Sequence, residues 1–435
     1  MKSLLTKLKD KYLGKGTYKK NVVKMVGARV VSQLIPILLS PLLTRIYTPQ
    51  EFGVFEVYLT VVSIAGIISN GRYALSLLLP KKDRESHVLA LLSVFLTTVF
   101  TVVLTALIYL FRDRFFVVLN VESIKRYLPL LSLNILFFGI CEIFFILELR
   151  KKQYKRLAIN VIVQSTVMII SRITFGYMEM GAYGLILSYL LGYIVSTLHL
   201  LYKFKLLINF DVFEQEVKGL AKQYVNFPKF SLISDGMQNL TNSFPSILLN
   251  KYFGSNSAGY FSLSDKILGS PLWFVTSSVG DVYRQEASEQ YRKTGSCKSV
   301  FIKTVRGLLF FGIVPFLIIF LVVPLLIPFV FGSDWSMTGT FVRVFSLMYF
   351  TSFLTNPILY TLNILNKQKY LVLFQVIKLF SIIIAFVIGF YYKNIILTLA
   401  VWSVLVSVGN LFALYLSYRF VSKLSDYYND STEIS

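Results

Sequence analysis

An all-α integral membrane protein is the fold this sequence predicts, with about twelve transmembrane helices in two six-helix lobes related by a parallel pseudo-two-fold repeat. Three observations predict it. Of 435 residues, 55% are hydrophobic, and the mean hydropathy of +0.65 lies far above that of an ordinary soluble domain. The apolar residues gather into runs of the roughly 20 residues that cross about 30 Å of hydrocarbon as a helix. One segment also recurs at a spacing that halves the chain.

The spans, in order, are residues 22–43, 54–79, 88–111, 127–147, 157–176, 182–202, 228–252, 258–280, 300–324, 339–362, 370–391 and 394–418. The first and seventh are the least apolar, because both carry proline and several polar residues. The formal net charge of +22 would suggest nucleic acid in a soluble chain. Here Lys and Arg sit in short segments between apolar runs, so topology is their first meaning and nucleic acid is set aside as a partner.

Residues 1–20 form a basic N-terminal segment in which Leu4, Leu5, Leu8 and Tyr12 share one helical stripe. That pattern fits a helix lying on a membrane face rather than a cleavable signal peptide. The connections with Lys81, Lys82 and Arg84, and with Arg150, Lys151, Lys152, Lys155 and Arg156, are basic. So are residues 203–224, 281–299, the Lys367 and Lys369 turn, and the tail with Arg419 and Lys423. The alternate connections hold Arg45, then Arg112, Arg114, Lys125 and Arg126, then Lys251 and Lys393. The first side outweighs the second by roughly 27 to 7, which places both termini in the cytoplasm by the positive-inside rule. The loop 112–126 runs against this assignment. The expected organisation is an N-lobe over 21–203, an amphipathic interlobe linker over 204–226, a C-lobe over 227–420 and a cytoplasmic tail over 421–435.

The repeat is explicit. LLTRIYTPQEFGVF begins at Leu42 and LLNKYFGSNSAGYF at Leu248, an offset of 206 residues. Tyr47 matches Phe253, Gly53 matches Gly259 and Phe55 matches Phe261. Six spans separate the copies, so the two halves share one orientation, with their axis along the membrane normal. Transporters of that design hold substrate between the halves and expose it alternately.

Several function classes are excluded by what the chain lacks. No Walker, HExxH, paired-cysteine or GxSxG motif occurs, and no connection exceeds about 25 residues, too short for a soluble catalytic domain. Cys141 and Cys297, and His87 and His199, are too scattered to suggest a disulfide or a metal. A transporter rather than an enzyme is expected, with no catalytic residue, no metal and no cofactor. Its energy would come from a gradient, with H+ or Na+ as a possible coupling ion.

Ionisable side chains inside spans cost several kcal/mol unless they face a cavity or a partner. Arg29, Arg72, Glu142 and Arg172 are embedded in the first half, and Asp235, Asp265, Lys266, Arg343 and Lys378 in the second. Arg172, Arg343 and Lys378 lie near span edges and can snorkel. The predicted substrate-binding set is Arg29, Arg72, Lys266, Asp235, Asp265 and Arg343, with Gln33 and Gln238 as polar contacts beside Asn239 and Asn242. The balance of Arg and Lys over carboxylates suits an anionic substrate such as a phosphate or pyrophosphate. Asp235 or Asp265 is the candidate for ion coupling.

RIYTPQEFGVF from Arg45 to Phe55 and NGRYALSLLLPKK from Asn70 to Lys82 resemble the start of bacterial Wzx-type polysaccharide flippases. These belong to the multidrug/oligosaccharidyl-lipid/polysaccharide exporter superfamily. Tyr252-Phe253-Gly254 with Ala258-Gly259-Tyr260-Phe261 looks like the corresponding second-half pattern. The motifs cover roughly a tenth of the chain.

The resemblance implies a MATE-like pair of lobes in the bacterial inner membrane. It also implies a substrate of undecaprenyl-pyrophosphate-linked oligosaccharide, an O-antigen or capsule repeat unit, and partners such as a polysaccharide polymerase and other assembly proteins. Arg72 falls within the matching motif. An acidic residue often follows the Arg-Tyr pair in the family, whereas Ala74 stands here, so the resemblance implies an Arg72 without a local ion pair and freer for an anion. The rivals are a drug/cation antiporter of the same superfamily and a membrane-embedded polysaccharide polymerase. A peptidoglycan-precursor flippase is a third, disfavoured because such relatives usually carry two further spans.

Overall fold

The computed structural model describes residues 38–111, 125, 127–202, 204, 213–225, 227–365, 367 and 369–432, and all regular structure among them is helical. The chain divides into two compact units, residues 1–251 and 252–435.

In the first unit, α1 (Ser40–Ile46) and α2 (Pro49–Ser69) meet at an extended Tyr47 and Thr48. The sequence TPQE dictates that start. The Thr48 hydroxyl accepts from the Glu51 N–H at 3.3 Å, and the Thr48 N–H donates to the Glu51 carboxylate at 2.8 Å. Such a reciprocal cap satisfies two orphan donors, and losing the hydroxyl typically costs about 1 kcal/mol. Helix α2 then stops at Asn70, because Gly71 and Arg72 both adopt left-handed backbone (φ 57° and 60°). A short α3 (Tyr73–Ser76) follows, so the second span ends at residue 69 and not at 79 as the hydropathy of Ala74–Leu79 suggests.

Next come α4 (Asp83–Leu110), α5 (Leu128–Arg150), α6 (Tyr154–Tyr177) and α7 (Gly181–Leu201). Small residues let these helices approach closely: Gly139 abuts Ser69 and Thr97, and Gly192 abuts Met168. The ends of α5 and α6 are tied by Arg156, which pairs with Glu148 at 3.0 Å and donates to the carbonyls of His199 and Leu200.

The amphipathic α8 (Phe213–Gln223) falls within the predicted linker and docks on the first unit. Leu220 is buried in a cluster with Leu77, Val88, Leu147, Leu157 and Leu200. Arg84 pairs with Glu216 at 2.8 Å, and the Tyr73 hydroxyl donates to the Ala221 carbonyl. After a π-helical turn (Phe227–Ser231), α9 (Leu232–Phe253) runs to the boundary of the two units.

The second unit opens with α10 (Ser255–Thr294), 40 residues bracketed by Gly254 (φ 84°) and Gly295 (φ 69°). At 1.5 Å per residue it is about 60 Å long, roughly twice the hydrocarbon thickness. Its first residue lies 206 positions after the first residue of α2, the same offset as the sequence repeat. Then follow α11 (Lys298–Leu321), α12 (Val323–Phe331), α13 (Ser336–Thr355), α14 (Thr361–Ile364), α15 (Lys369–Tyr392) and α16 (Ile395–Thr432). Aromatic edges build this core: Phe345 meets Trp402 at 5.0 Å and Phe261 at 5.8 Å. Gly389 of α15 meets Thr398 of α16 so closely that a β-carbon has no room.

Eight of the described helices are long and apolar enough to cross a membrane: α2, α4, α5, α6, α7, α11, α15 and α16. The protein is therefore a multi-pass, all-α membrane protein. Predicted spans 7, 8 and 10 correspond to α9, α10 and α13, whose sequences are more polar, and most of span 1 lies outside the described residues. Among the described residues, eight helices thus meet the length and apolarity of a span, of the twelve expected.

Candidate functional site

The break in the second span creates a polar constellation among the described residues of the first unit. A helix continued through residue 72 would send Arg72 along the α2 surface. The left-handed turn instead lifts it across to α5 and α9. Its Nη1 donates to Glu142 at 3.1 Å, and its Nη2 meets Asp235 at 2.5 Å. Asn70 donates to the other Glu142 oxygen at 3.2 Å. The Arg72 side chain is 12% exposed, against 24% for Glu142 and 35% for Asp235, so the cation is the innermost member and the carboxylates form its rim.

This geometry corrects one expectation. Arg72 is not freed by Ala74; its partners come from 70 and 163 residues away in sequence, and the guanidinium is shared by two carboxylates. With both ionised, the cluster carries net negative charge, so the first unit presents no unbalanced cation here. Two polar atoms stay unspent: the Arg72 Nε and the Asn70 carbonyl oxygen are buried without a hydrogen-bond partner among the described residues. An anion that takes the two Nη atoms must displace a carboxylate, and protonating either carboxylate weakens its hold on one of them.

The other predicted residues are placed differently. Arg29 and Gln33 lie outside the described residues, as does the side chain of Gln238 on α9. Asn242 is exposed on the same helix. Asp265 and Lys266 belong to α10 in the second unit, where Asp265 accepts a hydrogen bond from the Tyr349 hydroxyl of α13. Arg343 is exposed on α13 and lines an apolar pocket of about 620 Å3 between α11, α13 and α16. Arg172 is held inside its own unit, over the Phe55 ring at 5.1 Å and donating to Ser188.

The structure therefore joins Arg72 with Asp235, and adds Glu142 and Asn70, which were not in the predicted binding set. Glu142 carried a readable signal, a carboxylate in an otherwise apolar run. Asn70 carried none beyond its place before Gly71. Among the described residues no group of His, Cys, Asp and Glu is arranged to hold a metal ion.

Comparison with known proteins gives a consistent picture. A family profile described as polysaccharide biosynthesis protein matches residues 42–340. The succinoglycan biosynthesis transport protein ExoT of Rhizobium meliloti is 21% identical over 266 residues, covering 60% of this chain and 52% of that protein. The chain thus matches about half the length of that relative. Among solved structures, the lipid II flippase MurJ in an inward closed conformation superposes with a TM-score of 0.69 at 16% identity, covering 93% of this chain and 90% of that one. An inward-facing MATE family multidrug transporter superposes with a TM-score of 0.60 at 14% identity, covering 91% and 96%. At these identities the two superpositions establish a MATE- and MurJ-like fold.

Proposed function

The chain belongs to the polysaccharide biosynthesis protein family, and from that premise we propose that it is a flippase for undecaprenyl-pyrophosphate-linked oligosaccharide, an O-antigen or capsule repeat unit. The observation that carries the reading is a transporter fold over nine-tenths of a chain in a polysaccharide-building family. On this reading the protein sits in the bacterial inner membrane with both termini cytoplasmic. Lobes over 21–203 and 227–420, joined by 204–226, alternate in exposing the substrate, and a polysaccharide polymerase acts next.

The Arg72 cluster is the anion gate. The substrate pyrophosphate competes with Asp235 and Glu142 for one guanidinium, and on the same reading Arg29 and Lys266 also attract the anion. Protonation of a carboxylate, or its occupation by Na+, frees Arg72 for the substrate and links transport to a gradient. Such linkage requires only differential affinity of the two states for the ion.

Deletion of the gene is expected to abolish surface polysaccharide and trap complete lipid-linked units on the cytoplasmic leaflet. Arg72→Ala is expected to lower surface polysaccharide by about tenfold, equivalent to about 1.4 kcal/mol. Units that reach the outer leaflet but stay unpolymerised would identify a polymerase instead.

One observation favours a second reading, a drug/cation antiporter. Two carboxylates around one arginine leave a negative balance that attracts organic cations. Efflux of a cationic dye that depends on Asp235, with polysaccharide unaffected by deletion, would establish that reading in place of the flippase.

A further inference from the structure

A second pocket lies wholly within the second unit and has a chemistry unlike the Arg72 cluster. It holds about 380 Å3 where α10 passes the turn Asn356–Ile358 and α14. Trp273 stands in its wall 55% exposed, whereas Trp335 and Trp402 are buried at 1% and 5%. The Arg284 guanidinium lies over the Tyr360 ring, 4.5 Å from its centroid. That cation–π contact holds the guanidinium at the ring, and its planar fork carries five N–H donors. Thr276 donates to the Leu272 carbonyl at 2.8 Å and keeps its lone pairs as acceptors. Asn356 and Asn363 complete the rim with their side-chain amides.

Three ligand classes can be weighed against this wall. A lipid tail would strip water from two amides and a guanidinium with nothing to replace it, at a cost of roughly 1–3 kcal/mol for each polar group. An organic cation meets Arg284. A pyranose ring matches every feature: its C–H face lies on an indole or phenol ring, and its hydroxyls both give and take hydrogen bonds, as amides do. The volume sits at the small end of the about 300–1,000 Å3 typical of ligand pockets, which suits a sugar ring and not a whole lipid-linked unit. Arg284 adds a preference for a ring that carries a carboxylate, the anion its planar fork fits best.

The sequence of α10 agrees. Helix α10 is about 60 Å long and must leave the hydrocarbon. Arg284, Glu286, Glu289 and Lys293 mark the end that does so, and the pocket adjoins that end.

We propose that this pocket binds an acidic pyranose, of the uronic acid class, in the headgroup of the lipid-linked oligosaccharide. The assignment of that headgroup as the source rests on the flippase reading; the binding chemistry does not. The test uses the full chain in lipid nanodiscs and follows tryptophan emission. D-glucuronate, D-glucose and inorganic pyrophosphate are titrated separately.

Glucuronate is expected to shift the emission saturably, with the response lost in Trp273→Phe and the affinity reduced about tenfold in Arg284→Gln. Glucose is expected to bind more weakly and to be indifferent to Arg284→Gln. Asn363→Ala provides a milder variant, expected to weaken both sugars. A saturable response to pyrophosphate with none to either sugar overturns the proposal in favour of a phosphate site. No response to any ligand overturns it as well. If sugars fail to bind while deletion still traps units on the cytoplasmic leaflet, the pocket assignment alone is wrong. If glucuronate binds and deletion leaves polysaccharide intact, the flippase reading falls and the pocket stands.

Discussion

Replacing Arg72 by alanine leaves Glu142 and Asp235 without the cation they share. Breaking a fully buried pair costs about 3–5 kcal/mol, and the partial exposure of both carboxylates lowers that to about 1–3 kcal/mol. The melting temperature of Arg72→Ala in detergent is expected to fall, and to recover in Arg72→Ala/Glu142→Gln/Asp235→Asn. An Arg72→Ala protein as stable as the wild type would show that the pairing contributes nothing. The thiols give a second residue-scale expectation. Cys141 and Cys297 are both buried, and burial pushes the Cys297 thiol up to about 11. Because the thiolate is the reactive form, the native protein should take up no maleimide at neutral pH until it is unfolded. Labelling of the folded protein would contradict the burial.

Between neighbouring helices, the described glycine with least room for a β-carbon is Gly389, where α15 meets Thr398 of α16. Gly389→Ala forces the pair apart and is expected to cost about 1–3 kcal/mol, seen as a lower melting temperature, with Thr398→Ala restoring part of it. A neutral Gly389→Ala would mean that the hairpin adjusts freely. Elements of this kind mark the boundary of what the sequence discloses. Apolar runs of the right length announced α4, α5, α7, α11 and α15, because bilayer thickness sets a length that hydropathy reports directly. The start of α2 at Pro49 went unread, since the predicted span began at residue 54, although Thr48 and Glu51 carry a capping pattern that marks it. The end of α2 was hidden, since Ala74–Leu79 continue its hydropathy while a two-residue change of backbone handedness ends the helix. The reach of α10 past predicted residue 280 was hidden too, because its charged final turns look like a loop to any scale that measures apolarity. Arg72 and Asp235 were both readable as embedded charges. Their contact was not, since no local pattern couples residues so far apart.

For the molecule as a whole, the charge bias makes a topological prediction independent of substrate. Single cysteines at Lys81 or Lys152 should react with an impermeant maleimide only from the cytoplasmic side, and one at Lys393 only from the other. Lys81, Lys152 and Lys393 are exposed, so each site is open to reagent, and the reverse pattern would overturn the orientation. The chain belongs to the polysaccharide biosynthesis family and has a MATE- and MurJ-like fold, and on the flippase proposal the Arg72 cluster and the Trp273 pocket are where its own specificity is to be sought. The left-handed backbone under Arg72 also shapes how that specificity can change over generations. Branched residues such as Val, Ile and Thr are nearly closed to such a conformation. Descendants of this chain can therefore explore position 72 mainly through unbranched side chains, glycine or asparagine, and the backbone screens the variants before selection on transport ever acts.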